Sequence, residues 1–314
     1  MNDIWTMGEI LVEIMRPKVS MELFELGEFV GPFPSGAPAI FVDTVARLGH
    51  SAGIIGGVGN DDFGKTVLDR LIRDGVDCGQ VKTFAGKSTA LAVVTYFADG
   101  SRKFLFYIDG TPAVMNEFDE SEDIRGAKYF HIMGCSLMAN ECFRKNIIRT
   151  ALHFKENGAR LSLDPNIRPE LLGDRRVLDV IGDILEKCSI LFPGVDELKL
   201  ISEKETVEEG VERMLEIPSM ELVVLKRGKK GNTVFQRSGR LDITPYTVAE
   251  IDPTGAGDCF DAAFLCGLVE NKPPEECGKY AAATGALNAA AFGPMEGRIN
   301  PESVSELIKA QAHL

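Results

Sequence analysis

The sequence predicts an α/β fold with a mostly parallel central sheet flanked by helices, and three observations lead to it. Strand-like and helix-like segments alternate along most of the 314 residues, the pattern of chained βαβ units. Several helix-like segments stop at a glycine, the residue that most readily closes a helix in the left-handed conformation. Hydrophobic residues make up 45% of the chain, enough to cover both faces of a large sheet.

In chain order, residues 4–12 read as a first strand, residues 38–48 as a helix closed by Gly49, and residues 52–58 as a strand. Residues 63–73 put Val67, Leu68, Leu71 and Ile72 on one helical face and stop at Gly75. A strand at 129–133, a helix at 141–156 ending at Gly158 and a strand at 160–163 follow. A helix at 176–187, a strand at 190–192, a helical stretch reaching Leu215 and a strand at 222–225 continue the rhythm. Two regions break it. Residues 22–33 look strand-like, with Gly27 and Gly31 as punctuation, and residues 89–97 and 103–108 alternate around the hairpin signal Asp99-Gly100. These pieces form either a small antiparallel sheet inserted at two points or edge strands of the main sheet.

Composition excludes several functions. A formal charge of −13 argues against a nucleic-acid surface, whose footprint is basic. It leaves an anionic ligand open, because one local nest of amides overrides net charge. Seven cysteines form no C-x-x-C pair, and an odd number suits reduced thiols. Cys259 with Cys266 and Cys135 with Cys142 read as helix-face packing. The start Asn2-Asp3-Ile4-Trp5 lacks a basic region leading into a long apolar core, and no stretch is apolar enough to span a bilayer. The expectation is a cytoplasmic protein without a membrane partner. His50, His131, His153 and His313 lack metal-ligand spacing and read as structural; no G-x-S-x-G is present.

The segment richest in chemistry is Asp252-Pro253-Thr254-Gly255-Ala256-Gly257-Asp258, running into an apolar stretch from Cys259 to Val269. Its glycines allow a tight bend that points successive amides into one cavity. A helix beginning there adds unpaired N–H groups and a positive dipole end, a place that attracts phosphate. Asp258 sets a carboxylate beside that spot, where it could take a proton from an attacking hydroxyl or simply favour the helix start.

This segment resembles the C-terminal signature of the ribokinase-like (PfkB) carbohydrate kinases. Gly57-Val58-Gly59-Asn60-Asp61-Asp62-Phe63-Gly64 resembles their N-terminal signature, and Asp164-Pro165-Asn166-Ile167-Arg168 resembles the Asp-x-Asn-x-Arg segment of the fructokinase and 2-keto-3-deoxygluconate kinase branch. Leu225-Lys226-Arg227-Gly228 with Gly231 is similar to the nucleotide-side strand and turn. The resemblance implies an ATP-dependent kinase for a small sugar or sugar acid. Asp258 would be its base, and the amides of Gly255, Ala256 and Gly257 with Asp258 its anion hole. It also implies two parts. Residues 1–12, 36–88 and 112–314 would form the α/β domain, and residues 13–35 and 89–111 a β-sheet lid that excludes water. Relatives of this kind often dimerise through that sheet.

On the substrate side the resemblance points to Glu13, Gly36, Ala37, Ile40, Tyr107 and Arg168. Ser35 and Ile40 depart from a Gly-Gly-x-x-x-Asn motif, and Ile40 cannot bond a sugar hydroxyl. Arg168 could grip a carboxylate or phosphate, or pair with Asp164. Ile108 stands where 2-keto-3-deoxygluconate kinases carry a further arginine, which argues against that sugar acid. On the nucleotide side it points to Gly194, Lys226, Gly228, Gly231, Ala282, Gly285 and Asn288. Glu197 would orient water around Mg²⁺, while Asp252 and Thr254 could hold a monovalent cation such as K⁺. Residues 59–66 also match the P-loop pattern letter for letter. Asp61 and Asp62 inside such a cradle would repel phosphate, so they read as caps of the following helix. Two rival readings are a nucleoside kinase of the same family and a non-catalytic sugar-binding or regulatory protein that kept the fold.

Overall fold

A computed structural model describes residues 2–99 and 101–312; Gly100 of the expected hairpin turn and His313 lie outside the described residues. The expected first strand is two. β1 (Ile4–Met7) enters the central sheet, and β2 (Leu11–Met15) belongs to a second sheet. Between them Gly8 passes so close to neighbouring segments that a Cβ would lie 2.3 Å from Pro38 Cγ and 2.5 Å from Ser136 Oγ. The sequence reading missed the break because only Gly8 and Glu9 interrupt an otherwise largely apolar run from Ile4 to Val12.

β3 (Val30–Ser35), α1 (Ala37–Arg47), β4 (Ala52–Gly59), α2 (Asp62–Arg73) and β5 (Asp77–Phe84) follow. β6 (Ala90–Tyr96) and β7 (Arg102–Tyr107) make the expected hairpin. β8 (Tyr129–Met133), α3 (Gly134–Ala139), α4 (Glu141–Glu156), β9 (Arg160–Asp164), α5 (Pro169–Leu172), α6 (Val177–Leu185) and β10 (Ile190–Leu191) come next. The helical stretch up to Leu215 is two helices, α7 (Val195–Ser202) and α8 (Val207–Leu215). Glu203 in the left-handed region ends the first, and Thr206 caps the second. β11 (Leu222–Lys226), β12 (Asn232–Gln236), β13 (Gly239–Ile243), α9 (Ala256–Val269), α10 (Pro274–Ala289) and α11 (Pro301–Ala310) complete the order.

The central sheet has nine strands in the order β13-β12-β11-β10-β9-β8-β1-β4-β5. It is parallel from β5 to β11, and β12 and β13 add an antiparallel edge. Two apolar cores pack against it. One holds Ile4, Phe41, Val224 and Phe264, the other Trp5, Phe130, Phe154 and Val223. Adjacent residues of one strand fall in different cores, as strand alternation requires.

The second sheet runs β3-β2-β6-β7. The expected small antiparallel sheet is present, with its outer pairs antiparallel and its central pair, β2 and β6, parallel. Parallel pairing arises because β2 and β6 each leave the central layer in the same direction, joined by a long excursion through it. No helix among the described residues is long and apolar enough to cross a membrane.

Candidate active site

A cavity of about 270 Å³, at the small end of ligand pockets, lies between the two sheets. Its central-sheet wall comes from the carboxyl ends of parallel strands, where open α/β folds place their ligands. β9 ends at Asp164 and β11 at Lys226, and both line the cavity.

The loop from Asp252 to Asp258 forms one side. Asp252 pins it: its Oδ1 accepts from Thr254 N at 3.0 Å and Tyr96 Oη at 2.8 Å, and its Oδ2 accepts from Gly293 N at 2.9 Å. Tyr96 stands on β6, so this bond ties the small sheet to the loop. Asn288 on α10 donates to Thr254 O at 2.8 Å and Pro294 O at 3.0 Å. Gly255 turns at φ 76°, and a Cβ there would fall 2.4 Å from Pro294 O. Only glycine enters that bend without strain. Ala256 N donates to Pro253 O, whereas the Gly257 and Asp258 N–H groups have no acceptor among the described residues. The anion nest is thus narrower than expected, because the Ala256 amide is committed to the turn.

Asp258 sits in the first turn of α9, buried and lining the cavity. Asn166 Nδ2 donates to its Oδ1 at 3.0 Å. Asn166 holds a left-handed φ of 38° while buried, a strained state typical of functional positions. No cation lies within salt-bridge distance of Asp258 among the described residues. Burial and the charge of Asp164 push its carboxyl up to about 7, against Arg168, Lys226 and Arg102, which pull it down. A carboxyl poised there can accept a proton near neutral pH.

Beneath it lies a charged floor. Lys226 Nζ donates to Asp164 Oδ2 at 2.7 Å and reaches both Asp261 oxygens at 3.3 Å. Burial pulls the lysine down, but Asp164 and Asp261 hold it well above its ordinary value. Asp164 is pushed up by burial and brought below its usual range chiefly by Lys226. Glu197 accepts from Ile167 N at 2.8 Å and Gly194 N at 2.7 Å, and its carboxylate lines the cavity. Burial and Asp164 raise it.

The other end is lined by Glu13, Gly36, Ala37, Ile40 and Arg168. Ser35 Oγ donates to Glu13 Oε2 at 2.9 Å, while Glu13 Oε1 is buried with no partner. Burial pushes this carboxyl up to about 7 despite the Ser35 bond. An unpartnered buried oxygen facing a cavity suits a ligand hydroxyl.

Tyr107 is a correction. It is 59% exposed and does not line the cavity. Alternation along β7 turns Lys103, Leu105 and Tyr107 outward and points Arg102, Phe104 and Phe106 into the cavity. The i, i+2, i+4 spacing of Arg102, Phe104 and Phe106 was the signal available in the sequence. Glu9 was also missed. It is buried on Ser136 Oγ and Cys135 Sγ, and its signal was an acid inside an apolar run.

Gly194, Gly228, Gly231, Ala282, Gly285 and Asn288 lie outside this cavity. Gly285 instead lets α10 approach the loop, with a would-be Cβ 2.9 Å from Ala256 O. The P-loop match is a helix cap. Asp61 accepts from Gly64 N at 2.8 Å and Thr89 N at 2.8 Å, and Lys65 is an exposed partner of Asp69. His131 is structural as expected, stacked on Phe41 and held down to about 3 by burial. The seven cysteines are all free.

Comparison with known proteins agrees with this architecture. The model of the pfkB family carbohydrate kinases matches residues 1–300. Fructokinase-1 of Oryza sativa subsp. japonica is 34% identical over 313 residues, 96% of each chain. An E. coli protein provisionally described as Ribokinase II is 36% identical, covers 99% of this chain and 100% of its own, and superimposes with a TM-score of 0.92 in its apo form and 0.91 with ATP and Mg²⁺. A Vibrio cholerae O395 fructokinase, solved with fructose, ADP and potassium ion, shares the fold at 23% identity and TM-score 0.85, over 98% of both chains. With a family match across nearly its whole length, and the Asp252–Asp258 and Asp164–Arg168 segments meeting at one cavity, the chain belongs to the pfkB family of carbohydrate kinases.

Proposed function

We propose that the chain transfers the γ-phosphoryl group of ATP to a hydroxyl of a small sugar or sugar acid, a ketose such as fructose or a 2-keto acid. Asp258 takes the hydroxyl proton as the new O–P bond forms and the bond to the ADP oxygen breaks. The free amides of Gly257 and Asp258 meet the negative oxygens of the moving group. Glu13 Oε1 bonds an acceptor hydroxyl. The single observation that carries this reading is a buried carboxyl, poised near neutrality, beside unpaired amides at a helix start.

The donor set suits Mg²⁺ only through water, since no group of three His, Cys, Asp or Glu side chains could cage a metal among the described residues. Glu197 would orient that water, each of its oxygens keeping a lone pair beyond its backbone bond. When bound, Mg²⁺ neutralises charge on the nucleotide phosphates. Asp252 spends its carboxylate on the loop, so any K⁺ there would be met by backbone carbonyls.

The small sheet, residues 13–35 and 89–111, serves as the lid. Its outer side exposes Phe24, Leu26, Leu105 and Tyr107, the surface proposed for a second copy of the chain. An ADP-release assay with ketoses, sugar acids and adenosine tests the function. Turnover of a sugar supports it, turnover of adenosine alone replaces it with the nucleoside reading, and no turnover with any acceptor overturns it.

A further inference from the structure

The loop from Asp252 to Asp258 is held from two directions. From α10, Ala289 O accepts from Ile251 N at 2.8 Å and Asp252 N at 3.1 Å, and Asn288 Nδ2 donates to Thr254 O. From the small sheet comes a single hydroxyl. Tyr96, the last residue of β6, donates to Asp252 Oδ1 at 2.8 Å and shares a hydrogen bond with Thr254 Oγ1. Thr254 Oγ1 has no other partner among the described residues, and no other side chain of the small sheet bonds this loop. Tyr96 itself stays out of the cavity that Thr254, Gly255 and Asp258 line.

A second contact lands on the same place. Phe33 of β3 stands across the ladder from Glu13 and packs edge-on against Phe292, with ring centroids 5.7 Å apart. The next residue, Gly293, donates to Asp252 Oδ2, and a Cβ there would fall 2.9 Å from Phe33 Cδ1. The strands on either side of β2 thus reach both oxygens of Asp252, Tyr96 directly and Phe33 through Gly293.

Resting on the kinase reading above, we propose that Tyr96 is a positioning residue for phosphoryl transfer: its hydroxyl fixes the turn that presents the Gly257 and Asp258 amides, and does so only while the small sheet is seated on the central one. Thr254 stands three residues before Gly257, and the bend at Gly255 between them has no room to shift toward Pro294 O. A group that fixes Thr254 therefore fixes where the following amides point. Burial and the charges of Asp252 and Glu13 hold the phenol above its ordinary value, so it keeps its proton and remains a donor. Thr254 Oγ–H then donates to Tyr96 Oη, and Tyr96 O–H to Asp252 Oδ1. Because Glu13 sits on β2, hydrogen-bonded along its length to β6, the same link sets the acceptor side against the amides.

Tyr96→Phe removes the hydroxyl and keeps the ring. Three measurements on the full chain test the proposal: ADP release with ATP and the sugar turned over fastest in the assay above, hydrogen–deuterium exchange of the 252–259 segment without ligands, and thermal melts. We expect kcat to fall roughly tenfold to a hundredfold while KM for ATP and for the sugar stays within about threefold, the pattern of a misplaced site and not of a lost binding contact. The amides of Thr254 and Ala256, both bonded within the turn, should exchange about fivefold to tenfold faster, and the melting temperature should stay within about 4 °C. Thr254→Val should repeat the fall in kcat, and the double variant should be no slower than the slower single one, since both break one link. Unchanged kcat and exchange in Tyr96→Phe overturns the proposal. So does a large fall in melting temperature with normal kcat, which makes the hydroxyl a stability contact alone. A loss confined to KM for the sugar also overturns it, by placing the hydroxyl on the substrate. Faster exchange in Tyr96→Phe, with no acceptor turned over by the wild type, would leave the fixing of the turn standing and remove the kinase reading. Sugar turnover by the wild type, with kcat unmoved in Tyr96→Phe, would do the reverse.

Discussion

Asp258→Asn separates proton transfer from every other task of the loop. The substitution keeps the side chain's size and leaves an oxygen for Asn166 Nδ2, now 3.0 Å from Asp258 Oδ1. The amides of Gly257 and Asp258 are untouched. What disappears is the proton acceptor, worth about 10²–10⁴ in rate, or about 3–5 kcal/mol of barrier. We expect kcat to fall by that factor while KM for ATP stays within about threefold, as for an interaction made only in the transition state. Stability should move the other way. The folded carboxyl sits at about 7 against an ordinary 3.8, so the folded state holds a proton that the unfolded chain has released. Folding is therefore penalised progressively as pH rises from about 4 to 7, and fully above it, by up to about 4 kcal/mol. Asp258→Asn lifts that penalty, so it should melt higher than wild type at pH 8, by about 2–4 °C for each kcal/mol recovered, with the gap closing toward pH 4. An ADP-release assay and thermal melts read both quantities. Near-normal kcat would refute the base assignment, and a lower melting temperature would mean that lost activity reports unfolding.

Three further outcomes follow from the same geometry. Gly255→Ala forces a Cβ to within 2.4 Å of Pro294 O at a positive φ, so it should lower stability by about 2–4 kcal/mol in a urea titration and weaken ATP binding. Lys226→Met leaves Asp164 and Asp261 buried without their cation; we expect a loss of about 3–5 kcal/mol at pH 8 that shrinks as acid protonates them, read by melts across pH. Lys65→Ala removes only an exposed pair with Asp69, so melting temperature should stay within about 1 °C and KM for ATP within about twofold. A collapse of ATP affinity in that variant would restore the P-loop reading.

Much of this was legible in the sequence because periodicity and loop chemistry are local. The strand at 129–133 and the helix at 141–156 stand at their expected bounds. Gly255 and Asp258 stood out by their spacing, and the resemblance to known signatures gave them their roles. What escaped depends on the partners of a residue in space. β5, β12 and β13 mix polar with apolar residues and so carry no clear strand signal, although all three pair into the sheet. That Asp261, 35 residues after Lys226, shares its ammonium with Asp164 could not be read from the sequence. Tyr107 was placed by likeness to other chains, whereas strand alternation decides which residue of β7 faces inward. Arg102 was visible by that same rule, had it been applied to Arg102, Phe104 and Phe106 together.

The pH dependence of a single phosphoryl-transfer turnover, measured by rapid quench with ATP and acceptor saturating, tests most directly whether the acid at the start of α9 removes the proton. The wild-type rate should climb with one ionisation near pH 7, standing at about one-tenth of its plateau at pH 6 and about half at pH 7. A rate that stays level from pH 5.5 to 8.5 while transfer itself limits turnover would contradict the account.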